Sequence, residues 1–135
     1  MIKGMLDTNI LIYISVQQPL EIIERLREFR RGEIVMSSIV WAEFSVGLHK
    51  AGIDGGRVDS FIDVLPFDRA AGDMFGKLTA KYPDRAKGFD RLIAAHAIAA
   101  QLKLITNNIS DFSQYQNDGL VVENWVVERL ASRSP

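Results

Sequence analysis

Apolar residues fall in short runs separated by longer stretches of helical periodicity. Runs at residues 2–6, 34–37, 64–67, 102–106 and 120–122 read as buried strands. Between them the spacing changes. Ile22, Ile23, Leu26 and Phe29 recur at helical intervals after Pro19, which can open a helix because its missing N–H is not needed in the first turn. Gly32 follows to end that run. Ser37 or Ser38 can cap a second helix, whose stripe is Val40, Phe44, Gly47 and Leu48, with Gly52 just beyond. A weaker helix is expected over residues 55–62, and another from Asp68 towards Tyr82, where Pro83 stops it. Phe89, Ile93, His96, Ala97 and Ala100 mark a strong helix. Residues 108–115 suggest a short helical turn, and residues 123–131 a closing helix.

Strands alternating with helices predict an α/β fold in which a central parallel sheet is covered on both faces. No repeat, low-complexity tract or linker interrupts the chain. Its 135 residues suit one domain over residues 1–131, with 132–135 as a frayed tail. Hydrophobic residues make up 47%, enough for a substantial core. The 16 Lys and Arg nearly balance 17 Asp and Glu, for a net charge of −1. This argues against a wholly basic nucleic-acid binder but leaves room for a local basic patch. There is no cysteine, which excludes disulfides, thiolate catalysis and Cys-ligated zinc. No run reaches the ~20 apolar residues of a membrane span, and no cleavable leader is evident, so a soluble, cytoplasmic protein is expected.

The stretch Met5-Leu6-Asp7-Thr8-Asn9 ends an apolar run on a carboxylate, a hydroxyl and an amide. In open parallel sheets ligands gather beyond the carboxyl ends of strands. Asp7 is expected at one such end, and Thr106, Asn107 and Asn108 follow another. Glu43 and Asp90 each flank a buried helical stripe, and Asp111 follows Asn108. Each acid also has an ordinary reading: Asp7 as an Asx-turn, Glu43 as a boundary residue, Asp90 as a helix cap after Gly88, Asp111 as support for a cap at Asn108. Together, carboxylates at one sheet edge repel unless a cation or protons intervene. Oxygen ligands without cysteine point to Mg²⁺ or Mn²⁺, which activates water and stabilises charge on a phosphoryl group in transfer.

Five segments, MLDTNILIY, SSIVWAEFSVGL, FDRLIAAHAIA, LITNNISDF and GLVVENW, taken in order, resemble the PIN-domain ribonucleases, especially the VapC toxins of bacterial toxin–antitoxin pairs. The resemblance implies a three-layer α/β/α sandwich and a Mg²⁺- or Mn²⁺-dependent endoribonuclease acting on structured RNA of the transfer or ribosomal class. It also implies a homodimer silenced by a cognate antitoxin. Asp7, Glu43, Asp90 and Asp111 would be the catalytic acids, with Asp7 and Asp90 on the metal and Thr8, Thr106 and Asn108 in support. Asn108 stands where many relatives carry an acid, so Asp111 competes with it for the fourth position.

Lys81, Arg85, Lys87 and Arg91 lie around Asp90, and Arg85 and Lys87 are assigned to RNA phosphates. Arg25, Arg27, Arg30 and Arg31 read as the wet face of the helix after Pro19. His96 reads as a packed, hydrogen-bonded core histidine. A Mg²⁺-dependent phosphatase with Asp7 as nucleophile would need an acid where Asn9 stands. A PIN-like interaction module without catalysis is the non-enzymatic alternative.

Overall fold

The computed structural model describes residues 1–55, 58–84 and 88–126. Five strands form one all-parallel sheet: β1 (Gly4–Leu6), β2 (Ile34–Ser37), β3 (Asp63–Leu65), β4 (Leu104–Ile105) and β5 (Val122–Glu123), in the order β3-β2-β1-β4-β5. Gly4 pairs with Ile34 and Leu6 with Met36, while Leu6 also pairs with Ile105. The middle strands β1, β2 and β4 are buried throughout, as a sheet covered on both faces requires. Edge strand β3 is largely exposed.

The helices among the described residues are α1 (Thr8–Val16), α2 (Leu20–Leu26), α3 (Ser38–Ala51), α4 (Arg69–Lys81), α5 (Asp90–Ala100) and α6 (Ile109–Phe112). α4 packs on α5, and α1 packs on α2 and α3, giving the expected α/β/α architecture. Met5, Leu6, Ile10, Val35, Met36, Ile93, Leu104 and Ile105 lie at the centre of the hydrophobic core. The sheet starts at β1 and grows outwards on both sides. The carboxyl ends of β1 and β4 therefore flank the point where strand order reverses, the place at which such sheets leave a crevice for ligands.

Several expectations change. The residues after Asp7 form helix α1, where the apolar pattern predicted none. Ile10, Leu11 and Ile14 are buried, but Ile12 and Val16 are exposed. Apolar side chains thus surround this helix and hide its stripe. The helix after Pro19 ends at Leu26 rather than reaching Gly32; Gly32 sits instead at φ +91° in the turn leading to β2. Residues 58–60 form one 3₁₀ turn in place of the weak helix. Residues 113–118 continue α6 as 3₁₀ turns to Gly119. The start of the expected closing helix is strand β5, and residues 127–135 lie outside the described residues.

Candidate active site

Asp7 is the first residue beyond β1, and its amide still belongs to the sheet, donating to the Ile105 carbonyl at 2.8 Å. Its side chain caps α1: Oδ1 accepts from the Thr8 amide at 2.8 Å. The other oxygen, Oδ2, accepts from the Thr106 hydroxyl at 2.8 Å, beyond the end of β4. The carboxyl is 4% exposed. Burial pushes its pKa up to about 6, against the pull of the Thr106 and Thr8 hydrogen bonds, and the charges of Glu43 and Asp111 push the same way.

Asn9 ties this turn down. Its Nδ2 lies 3.4 Å from Asp7 Oδ2 and 3.5 Å from Thr106 Oγ1, while its Oδ1 accepts from the Asn107 amide at 3.2 Å. Asn107 in turn donates to the Tyr13 hydroxyl at 2.9 Å. The start of α1 and the segment after β4 are therefore stitched together around one carboxylate.

Glu43 reaches the same place from α3, whose N-terminus Ser37 caps by accepting from the Ile39 amide. Glu43 Oε1 accepts the Thr8 hydroxyl at 2.5 Å. The Thr8 amide thus orients Asp7, while its hydroxyl orients Glu43. The expected support from Thr8 at the metal acids is thus divided between two of them.

Asp90 is the first residue of α5, inside the helix rather than at its cap. Three residues separate α5 from β4, so the C-terminal end of α5 meets the start of that strand. The N-terminal end, with half-buried Asp90, therefore lies towards the carboxyl edge that holds Asp7. Asp111 sits in the first turn of α6, which packs on α5. The side chain of Asn108 makes no cap hydrogen bond; its amide donates to Thr106 Oγ1 at 3.0 Å.

Among the described residues, no three His, Asp or Glu side chains converge closely enough to form a complete metal cage. The donor chemistry nevertheless fits a small hard cation. The donors are oxygens, one carboxylate is buried, and two further carboxylates act on it electrostatically. Mg²⁺ is commonly held by one or two carboxylates with several waters, and needs no closed protein cage.

Arg85 and Lys87 lie outside the described residues. Two of their expected companions do not face phosphate. Arg91 is 4% exposed, donates to the Tyr115 hydroxyl and the Asp84 carbonyl, both at 3.1 Å, and is consumed by packing. Lys81 pairs with Asp118 at 2.7 Å. His96 is a core histidine as expected, with Nδ1 2.7 Å from Ser37 Oγ. The link it makes to the cap of the Glu43 helix had no signal in the sequence, because 59 residues separate the two.

Residues 4–117 match the family described as PIN domain. A tRNA(fMet)-specific endonuclease VapC of Shigella flexneri is 32% identical, across 93% of this chain and 99% of that protein. Ribonuclease VapC2 of Haemophilus influenzae is 33% identical, across 93% of this chain and its own full length. Among solved structures, VapBC2 of Rickettsia felis bound to a promoter DNA fragment superposes with a TM-score of 0.77 at 29% identity, covering 93% of this chain and 100% of that one. DNA-bound VapBC of Salmonella typhimurium gives 0.77 at 28% with the same coverage.

Proposed function

From the premise that this chain belongs to the PIN-domain family and is a VapC-type endoribonuclease toxin of a toxin–antitoxin pair, we propose that it hydrolyses phosphodiester bonds of structured RNA with a divalent cation, Mg²⁺ or Mn²⁺, at Asp7. The observation that carries this reading is the placement of Asp7. It is buried at the reversal of strand order, both its oxygens are fixed by hydrogen bonds, and the charges of Glu43 and Asp111 bear on it. A site built only for stability would gain from replacing such a carboxylate by a neutral group.

In this reading Asp7 and Asp90 hold the cation, Asp111 and Glu43 add negative charge, and Thr106 and Asn108 keep Asp7 aligned. When bound, the cation lowers the pKa of a water and stabilises charge on the phosphoryl oxygens. Glu43 commits Oε1 to Thr8, which leaves Oε2 to accept a proton from the attacking water. The short Thr8 bond fixes the direction from which that oxygen approaches. Asn9 holds the strand-end segments together so that these groups keep their places.

The relative from Shigella flexneri is named for a transfer RNA, which favours the transfer-RNA class here over ribosomal RNA. The cognate antitoxin is the protein partner, and a homodimer residing in the cytoplasm completes the proposal. Among the described residues no helix is long and apolar enough to cross a membrane. The phosphatase alternative loses ground because Asn9, where the second acid would stand, is spent on Asp7, Thr106 and Asn107.

The test is cleavage of total RNA with Mg²⁺, with Mn²⁺ and in chelator, by the wild type and by Asp7→Ala, Glu43→Ala and Asp90→Ala. Cleavage should need the cation and all three acids, with circular dichroism unchanged in each variant. Full cleavage in chelator, or by Asp7→Ala, would refute the proposal. RNA left intact by the wild type with either cation would favour the non-catalytic interaction module.

A further inference from the structure

Because α2 ends at Leu26, Arg27, Arg30 and Arg31 do not form the wet face of a helix. They gather instead in the turn that leads to β2, around a cavity of about 230 Å³. Phe29 and Phe61 line the same cavity, and Phe61 is 42% exposed. All three arginines are exposed, and among the described residues no carboxylate lies within ion-pair distance of any of them. The nearby acids are otherwise engaged or lie to one side. Glu28 pairs with Arg25 at 3.8 Å and Glu33 with Lys3 at 3.0 Å. Asp63 on β3 faces Gly32. Among the described residues, Lys81 is spent on Asp118, Lys103 on Glu123 and Arg91 on Asp84. In a chain of net charge −1, three guanidinium groups with no ion-pair partner among the described residues, beside an exposed ring, form a distinct local feature.

We infer that the Arg27–Arg30–Arg31 cluster, with Phe61, is a second RNA-docking surface, remote from the catalytic acids, that grips the backbone of a structured substrate. Guanidinium groups bind phosphates, and an adjacent aromatic ring gives an unpaired base a stacking partner. The cluster lies at the amino end of β2 and Asp7 at the carboxyl edge, roughly 15 Å away along the strand direction, from the ~3.3 Å rise per residue. A folded RNA whose scissile bond reaches Asp7 extends well beyond that distance and can engage both. Such contacts position the RNA without reading its bases. The inference rests on the ribonuclease reading, and the polyanionic substrate supplies the complementary charge.

The experiment compares Asp7→Asn protein, which leaves RNA intact, with the same protein carrying Arg27→Gln, Arg30→Gln and Arg31→Gln. Binding of labelled folded transfer RNA is followed by fluorescence anisotropy across a salt series. Each phosphate contact contributes ~0.7–0.9 to the slope of log K against log salt, so the triple change should flatten the slope by about 2–3. Replacing the three arginines by lysine should restore most of it. With Asp7 intact, the triple Gln change should raise KM for transfer RNA cleavage several-fold and leave kcat unchanged. Equal slopes for the two proteins overturn the inference, and so does a loss confined to kcat. Unchanged RNA binding with lost binding of the cognate antitoxin or of duplex DNA also overturns it and gives the patch to that partner. Wild type that neither binds nor cleaves transfer RNA refutes the ribonuclease reading itself, and the docking surface with it.

Discussion

Thr8 and Glu43, 35 residues apart, are joined by a hydroxyl–carboxylate hydrogen bond of 2.5 Å that ties Glu43 to the first residue of the helix Asp7 caps. Removing the hydroxyl with Thr8→Val should lower kcat by about 10–100-fold, the usual cost of losing a group that orients an active-site ligand. Thr8→Ser should retain most activity. Glu43 is only half-buried and can be rehydrated, so thermal stability should fall by no more than ~1.5 kcal/mol. Cleavage kinetics and melting curves of both variants check this; equal loss in Thr8→Ser and Thr8→Val would show that the methyl packing matters and the bond does not.

Asp7 should make metal-free protein less stable as pH rises. Its carboxyl binds the proton more tightly when folded, because burial raises its pKa from 3.8 to about 6. That contribution favours the fold below pH ~4 and is lost as pH rises through about 6. The difference corresponds to on the order of 3 kcal/mol. Asp7→Asn keeps an N-cap oxygen but disturbs the Thr106 bond, at ~1 kcal/mol. In chelator the variant should therefore overtake wild type as pH rises from 4 to 7, ending ~1–2 kcal/mol more stable. Urea unfolding at a series of pH values measures the crossing; a pH-independent difference would show that Asp7 is not so perturbed.

Millimolar Mg²⁺ should reverse that order. Ligand binding to the folded state alone adds ~2.7 kcal/mol at 100 times the Kd. Wild type should gain melting temperature with Mg²⁺ and Asp7→Asn should not. Equal gains would place the cation elsewhere.

Ser37 and His96 should behave as a coupled pair. Ser37 Oγ accepts from the Ile39 amide and meets His96 Nδ1 at 2.7 Å, so one hydroxyl caps α3 and docks it to α5. A double-mutant cycle with Ser37→Ala and His96→Phe should give a coupling of ~1–2 kcal/mol, within the range for residues in direct contact. Burial lowers the His96 pKa, and Asp68 opposes that only in part. Neutral His96 therefore supports the fold above pH ~6.5, and that support is lost as pH falls below it. The loss should be absent in His96→Phe. A coupling near zero would make the contact incidental.

Trp125 should be a principal anchor of the C-terminal strand. It is 4% exposed, stacks on Phe29 with ring centroids 5.7 Å apart, and donates from Nε1 to Glu123 Oε2 at 2.7 Å. Trp125→Ala should cost ~3–5 kcal/mol, as for other large buried aromatics. Trp125→Phe should cost less, since it loses chiefly the hydrogen bond. Denaturant midpoints decide, and a cost below ~1 kcal/mol for the Ala variant would show that this segment packs weakly.

The strand positions were legible because three of the five apolar runs contain the strand found there and the other two overlap it; the strand order was not, because apolar runs say nothing about which strands pair. The position of Asp7 was legible for the same reason: a carboxylate ending a buried run has few places to go. Helix α1 was not, because Ile12 and Val16 put apolar side chains on its exposed side. Nor was the burial of Arg91, which depends on Tyr115 arriving from 24 residues away. The arginines after Leu26 looked helical because their spacing continues the pattern of α2; the helix nevertheless ends at Leu26, and Phe29 beyond it stacks on Trp125 from the other end of the sequence.

The Thr106–Asp7 bond spans 99 residues, and the amide of Thr106 is itself held by the carbonyl of Glu123 in the last described strand. On a ribosome adding ~5–20 residues per second, roughly 5–20 s separate the synthesis of Asp7 from that of Thr106. Through that interval the carboxylate has emerged but its alignment cannot exist. The alignment of Asp7 is therefore a late product of synthesis, absent from any chain that has not yet reached Thr106 and the strand that holds it.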